Sequence, residues 1–569
     1  MDWNHLTRWR RAVLAAAIVL IAAVGTIAAE PSPTTAPDSS LQVGNIRVIV
    51  TDVYGDEELA DAPGLVATVH RTMNALHPGT RGHVIRRELL VREGDVYDPD
   101  LVAETERNLR SLGFLTNVSV AAVDTLSGGL VPIEVRVQET WSLSTQVAYS
   151  RSSTSDRWTA MLTDGNFLGY GTKVEVGLGQ DEDRDWQHLG FEDRRVLGSS
   201  LMLSLATIDL SDGYTHRLRL ARPNYAQDDL WSWDVFLWDN AFAPRYYLSR
   251  GPDAADDSGR LYSSPTVNRE GLDVSWMRRM SPEGRGRLWR VGAGVSTEHV
   301  SYELDGPVST SDDVPLTPDE FRTAAGRALQ RETGRTARVF LQVETLGREW
   351  TTDRFVRRYG VEEDILLDPY LWVRIGPALE ALGADRERLL LESAAEDWSR
   401  LAGGWLLTRF SGRGAVGGHG DRWHVAGLMS GWHRRAVGGL NRVWVEGVVA
   451  RDAPGPLTPV LGLTRGLRTL EYDGMVGDRL VRWNLEHARL VPGELLGFYT
   501  MAVAGFYSGG SAWWNDEPAS RRKVRQELGV GVRFGPTRSS RAEIARLDLA
   551  WPLDGSSGPR LTAATGGFF

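Results

Sequence analysis

From Trp141 onward, apolar and polar residues alternate with a period of two, as in strands that show one face to an apolar surrounding. Val174, Val176 and Leu178 alternate with Lys173 and Glu175, and Leu218 and Leu220 with Arg217 and Arg219. Leu528, Val530, Val532 and Phe534 alternate with Glu527, Gly529, Gly531 and Arg533. About 18 to 20 such segments follow one another at meander spacing. The charged face suits a water-filled lumen of a membrane barrel. A soluble sandwich would turn the same charges outward, and periodicity alone admits both. The stretch from Ser301 to Arg335 interrupts the strands and reads as a long surface loop. A short helix in it starts at Thr317-Pro318-Asp319-Glu320.

Between Asn45 and Glu139 the pattern is different. Ile46, Val48 and Val50 mark a strand, and Leu65, Val69, Met73 and Leu76 share one helical face. A second helix is expected from Gly82 to Val91. The third has Asp98 as cap, Pro99 at its first position and Leu101, Thr105, Leu109 and Leu112 as its buried stripe, with Gly113 at its exit. Two alternating strands, around Val118 to Val120 and Val131 to Val137, close the unit.

Composition narrows the choice. Two of the 21 tryptophans precede residue 10 and the rest stand from Trp141 onward, which suits the aromatic girdles of a membrane barrel. The mean hydropathy of -0.27 argues against a helical membrane protein. A net charge of -10 gives no basic patch, so no nucleic-acid partner is expected. The chain has no cysteine, which excludes disulfide frameworks and thiol catalysis. Arg8, Arg10 and Arg11 precede an apolar run from Ala12 to Ala29, then a proline-rich segment. This is the layout of a signal peptide over residues 1–29 followed by a linker over 30–44; an uncleaved anchor helix is the other reading.

The stretch VIRRELLVREGDVYDPDLVAETERNLRSLGFLTNVSV, with the closing strand EVRVQE, resembles a POTRA domain. The extra helix from Leu65 to Leu76 departs from that pattern, and one such domain fits before Trp141. Further on, DGNFLGYGTKVEVGLG, LARPNYAQDDLWSW, the TRGL loop, RLVRWNLEHARLVPGELLGF and RLDLAWPL are similar, in that order, to the BamA/TamA family of outer-membrane barrels. The expected fold is thus mainly β: one small α+β POTRA-like domain over 45–139, then a transmembrane antiparallel barrel over 140–569. The resemblance implies 16 strands. The higher count from alternation means either that some segments are loop hairpins or that the barrel is larger.

The resemblance also implies site residues. Arg465, of the pair Arg465-Gly466, would fold back into the lumen and pair with Glu486 as a guanidinium fork on a carboxylate. Leu467 stands where the family has an aromatic residue, and Ser508 where a second acid is expected. Gly566, Gly567 and Phe569 end the last strand; the terminal aromatic would act as an assembly signal and the glycines would weaken a seam against the first strand, Ser142 to Ser150. His419, Asp421 and His424 superficially suggest metal ligands, but 419 and 421 share a strand face that 424 does not. No catalytic, cofactor or metal residue is assigned. The expected role is assembly, insertion or translocation of client proteins across the bacterial outer membrane, by strand pairing at the POTRA edge and the lateral seam. The partners would be outer-membrane lipid, unfolded outer-membrane or secreted clients, and periplasmic chaperones or accessory proteins. The alternative is a passive channel or surface protein on the same scaffold.

Overall fold

The computed structural model describes residues 41–123, 129–151, 156–248, 261–284, 286–309, 317–330, 332–418, 421–463, 466–541, 543–555 and 558–565. The expected signal peptide, Arg465, His419, Gly566, Gly567 and Phe569 lie outside them.

The N-terminal domain runs β1 (Gln42–Thr51), α1 (Asp56–Asp61), α2 (Gly64–Leu76), α3 (Gly82–Arg86), α4 (Pro99–Arg110), β2 (Leu115–Ala122) and β3 (Leu130–Glu139). β3 is central, parallel to β1 and antiparallel to β2. Its alternation puts Val131, Ile133, Val135 and Val137 on one face, where they pack with Val102 and Leu109 of α4 and with Val84 and Ile85 of α3. Asp98 caps α4 by accepting from the Asp100 amide, and Gly113 exits at φ 77°. α3 ends at Arg86, short of the expected Val91. The chain leaves the helix there so that Glu88 can meet Arg195 of the barrel and the Leu90 amide can reach Thr105.

Twenty antiparallel strands close the barrel, from Leu143–Arg151 to Arg560–Thr565. The expectation of about 16 is corrected upward, and the count from alternation alone comes closer. The pleat settles which face is which. Glu175, Arg219, Glu486, Glu527 and Asp548 turn into the lumen, while Val176, Leu178, Leu485, Leu528 and Leu547 lie exposed on the outer surface. An apolar outer face on a closed sheet is what a strand-built membrane span requires, since closure satisfies every ladder hydrogen bond. No helix among the described residues is long and apolar enough to cross a membrane.

The tryptophans divide between the two faces. Trp158, Trp276, Trp483 and Trp551 point outward, as expected of girdles. Trp398 and Trp405 are buried inside, with Trp444 packed against them. The alternation carries this information, because Trp398 opposes Leu407 and lies in phase with lumenal Glu392. Their inward placement means that something apolar fills the lumen there.

The N-terminal domain docks on the turns at its own end of the barrel. The Arg81 amide donates to Gly169 (3.0 Å), Asn108 to the Tyr225 carbonyl (2.7 Å), and His70 lies 2.9 Å from the Leu496 carbonyl. Arg195 forks onto Glu88 at 3.2 Å through both nitrogens, and Arg538 pairs with Glu58. At the opposite mouth, helix α5 (Pro318–Leu329) opens on the expected capping box, with Thr317 and Glu320 bonded reciprocally. Its Ala325 and Leu329 pack on Tyr246, Val267 and Val300.

Candidate functional site

Three features of the barrel bear on function: two chain segments that enter the lumen from opposite mouths, and the junction of the first and last strands. The first segment is the loop between Gly439–Arg451 and Arg479–Leu495. It turns at Gly466, whose φ of 133° favours glycine and where a Cβ would lie 2.6 Å from Leu461 Cδ1. Leu467 is fully buried with Leu461, Leu480 and Ala512, so an aliphatic side chain does the wedging here.

The next residue, Arg468, is the loop's charged anchor. It is 1% exposed. Its Nε donates to Asp548 (2.8 Å) and its Nη1 to Glu527 (3.0 Å) and Ser508 (3.2 Å). The ring of Phe506 lies 3.6 Å below the guanidinium carbon. Thr469 adds its amide and hydroxyl to Glu527, at 2.9 and 3.0 Å. Ser508 therefore contributes where an acid was expected. It takes a bond from Arg468 and donates its own to Asn484 at 2.7 Å.

Glu486 meets arginines of the wall. Its carboxylate receives Arg533 at 2.7 Å, with Arg442 at 3.9 Å. Arg533 also binds Asp548. The wall thus carries an alternating chain of charges, Arg468, Asp548, Arg533, Glu486 and Arg442, running down neighbouring strands. Expected Arg465 lies outside the described residues, and Arg468 is the arginine seen in the lumen. The sequence holds a signal for it. Glu527 and Asp548 are acids at inward positions of late strands, and such acids require a cation once water is excluded.

The second segment joins strands Gly334–Leu346 and Tyr370–Ala378 at the N-terminal domain's end of the barrel. Instead of a tight turn it forms a hairpin, Trp350–Arg354 with Glu362–Leu366, paired only with itself. The tip turns back around Glu363, which accepts the Arg357 and Arg358 amides at 2.7 and 2.9 Å. Tyr359, at 0% exposure, packs among the lumenal Leu440, Ala488, Ala502 and Ala504. Val356 and Ile365 pack on Trp398, Trp405 and Leu407, and Trp405 donates to Asp353 at 2.7 Å. This accounts for the inward tryptophans. Alternation alone reads these two short segments as further wall strands, so their place in the lumen was not legible.

The third feature is the seam. Among the described residues, Arg560–Thr565 makes six residue pairs with Ala545–Pro552, but two pairs with Leu143–Arg151, through Ser150 and Tyr149. Every other neighbouring pair of strands in the barrel shares at least six. The glycines expected to weaken this seam lie outside the described residues. Asp421 sits 3.8 Å from Arg388, and among the described residues no cluster of His, Asp or Glu has metal-ligand geometry.

A family model for POTRA, described as surface antigen variable number repeat, matches residues 78–140. The N-terminal unit is a POTRA domain. The match begins just ahead of α3, so β1, α1 and α2 precede it. A Treponema pallidum (strain Nichols) protein described as "Putative outer membrane protein assembly factor" is 27% identical over 128 residues, 21% of this chain. The aligned stretch spans 15% of that relative's length. Among solved structures, BamA from Haemophilus ducreyi lacking POTRA domains 1–3 is similar over 92% of this chain and 84% of its own, at 11% identity and a TM-score of 0.40. CdiB from Escherichia coli is similar over 92% of this chain and 77% of its own, at 11% identity and a TM-score of 0.42. The chain thus joins a unit that matches a POTRA model to a closed barrel, with 20 strands where the resemblance to the BamA/TamA type implied 16.

Proposed function

We propose that this chain is an outer-membrane protein assembly, insertion or translocation factor of the BamA/TamA type, with its POTRA domain in the periplasm. The observation that carries the reading is the seam. Among the described residues it is held by two pairs, fewer than any other junction in the barrel, which favours it as the place where an incoming strand would pair. The POTRA sheet offers a second edge. β2 is an outer strand with its Val120 amide bonded to Glu106 at 2.9 Å, and the other outer strand, β1, is covered where Val43 exchanges backbone bonds with Asp95 and Gly94 at 2.8 and 2.9 Å. Unfolded outer-membrane or secreted clients would pair at these edges. The barrel would rest in outer-membrane lipid, and periplasmic chaperones or accessory proteins would deliver the clients. A passive channel is the weaker reading, because two segments occupy the lumen.

The chain has no cysteine, so an introduced pair can be read cleanly. Ser150→Cys with Thr562→Cys joins directly opposed residues, whose Cβ atoms in such ladders lie about 4.5–5.5 Å apart. In cells depleted of the native protein, the oxidised barrel should fail to sustain outer-membrane protein levels and the reduced barrel should succeed. Full support by the oxidised form would refute lateral opening. A loss confined to solute permeability would favour the channel.

A further inference from the structure

The loop at the POTRA end of the barrel between Leu346 and Tyr370 is long for its place. Membrane barrels keep this side to short turns, and its neighbours 402–403 and 437–438 are two residues each. We infer that its hairpin is a displaceable plug of the POTRA-side mouth, latched by the POTRA domain itself. The latch is Arg110, in the last turn of α4. Its Nη2 and Nε fork onto Asp364 of the hairpin at 2.7 and 3.1 Å. Arg107, one turn earlier, stacks 5.5 Å over Trp350 at the hairpin's root.

The hairpin is built to leave. It shares no ladder with the wall, and a lone two-stranded hairpin has little stability of its own. It rests on side-chain packing and on single polar contacts. Arg442 lies 5.4 Å below the Tyr359 ring and Arg435 4.7 Å below Phe355. Displacement exposes Trp398, Trp405 and Leu407, an apolar inner surface that an extended segment with aromatic side chains would cover. Arg442 also faces Glu486, so the hairpin touches the lower end of the charge chain whose upper end holds the Arg468 loop. A pull on the POTRA domain therefore acts on the lumen through α4. What the opening serves rests on the translocation reading above; the plug itself does not.

Ion conductance of the full chain in planar bilayers tests the plug without any client. The wild type should pass little current. Asp364→Arg should raise it several-fold, and Arg110→Asp added to it should restore the low value. A Cβ at Gly360 would lie 3.9 Å from Thr537 Cβ, within disulfide range. Oxidised Gly360→Cys with Thr537→Cys should therefore hold the current low in the Asp364→Arg background. Unchanged current in Asp364→Arg, or a raised current that persists after oxidation, would overturn the inference. Should Asp364→Arg not fold, the cysteine pair alone decides in mild urea. Current in the reduced form that oxidation removes supports the plug, and equal currents refute it. Client assembly unaffected by depletion of the protein, with intact plug behaviour, would reject the functional reading and leave the plug standing.

Discussion

The two lumenal segments are held in opposite ways. The Arg468 loop is fixed by buried, charge-assisted bonds to two acids on separate strands, backed by a serine and a threonine. The hairpin is fixed by aromatic and aliphatic packing and by one fork of bonds to a different domain. Removing one member of a buried charge set strands its partners in a dry site, and that penalty makes such an anchor hard to release. Packing has no comparable threshold, and the Arg110–Asp364 pair joins the hairpin to another domain rather than to the wall. The first segment is tied to the wall itself, whereas the second, on the inference above, answers to the POTRA domain.

Arg468→Leu should break the contrast most strongly. It leaves Glu527 and Asp548 buried without their cation, for a loss of about 3–5 kcal/mol. The barrel should then lose its heat-modifiable gel mobility; retained mobility would mean that the loop is dispensable to the fold. Glu486→Gln should be milder. It weakens the charged bonds from Arg533, worth about 1.5–3 kcal/mol, and lowers the melting transition without abolishing folding. An effect as large as that of Arg468→Leu would place the anchor lower in the charge chain than the geometry does.

The smallest effect lies at the hinge between the domains. Glu139 is buried against His77 (3.3 Å) and the Thr80 amide. Burial works to raise its carboxyl, but the bonds from His77 and Thr80 prevail and hold it below its ordinary value of 4.5. A depressed acid contributes stability above that ordinary value and loses it as pH falls through the lower, folded one. The difference in urea midpoint between wild type and Glu139→Gln should thus be full at neutral pH and shrink below pH 4.5. A difference independent of pH would mean that the carboxylate's charge plays no part.

Much of this was legible in the sequence. Alternation put Glu527 and Arg533 on one face, and that face turns inward. Capping residues placed α4 and α5. What escaped was partnership across the lumen, because period-two patterning says which way a side chain points but not what it meets. The resemblance offered a loop arginine for Glu486, and patterning gave no sign of Arg533, two strands away, which pairs with it at 2.7 Å. The hairpin escaped for a related reason, since short alternating segments look alike whether they line a wall or fill the space inside it. Strand number was blurred by the same ambiguity.

The outer face of the first strand has a further consequence. The first strand exposes Leu143, Val147 and Tyr149 on its outer side and turns Ser144, Gln146 and Ser150 inward. Any chain that zips onto this edge inherits that phase, because a slip of one residue would send its apolar set into the lumen and its polar set into lipid. Under the proposed role, the seam would work as a parity check. It needs no motif and no pocket to discriminate, only a newcomer whose own odd and even positions differ in kind.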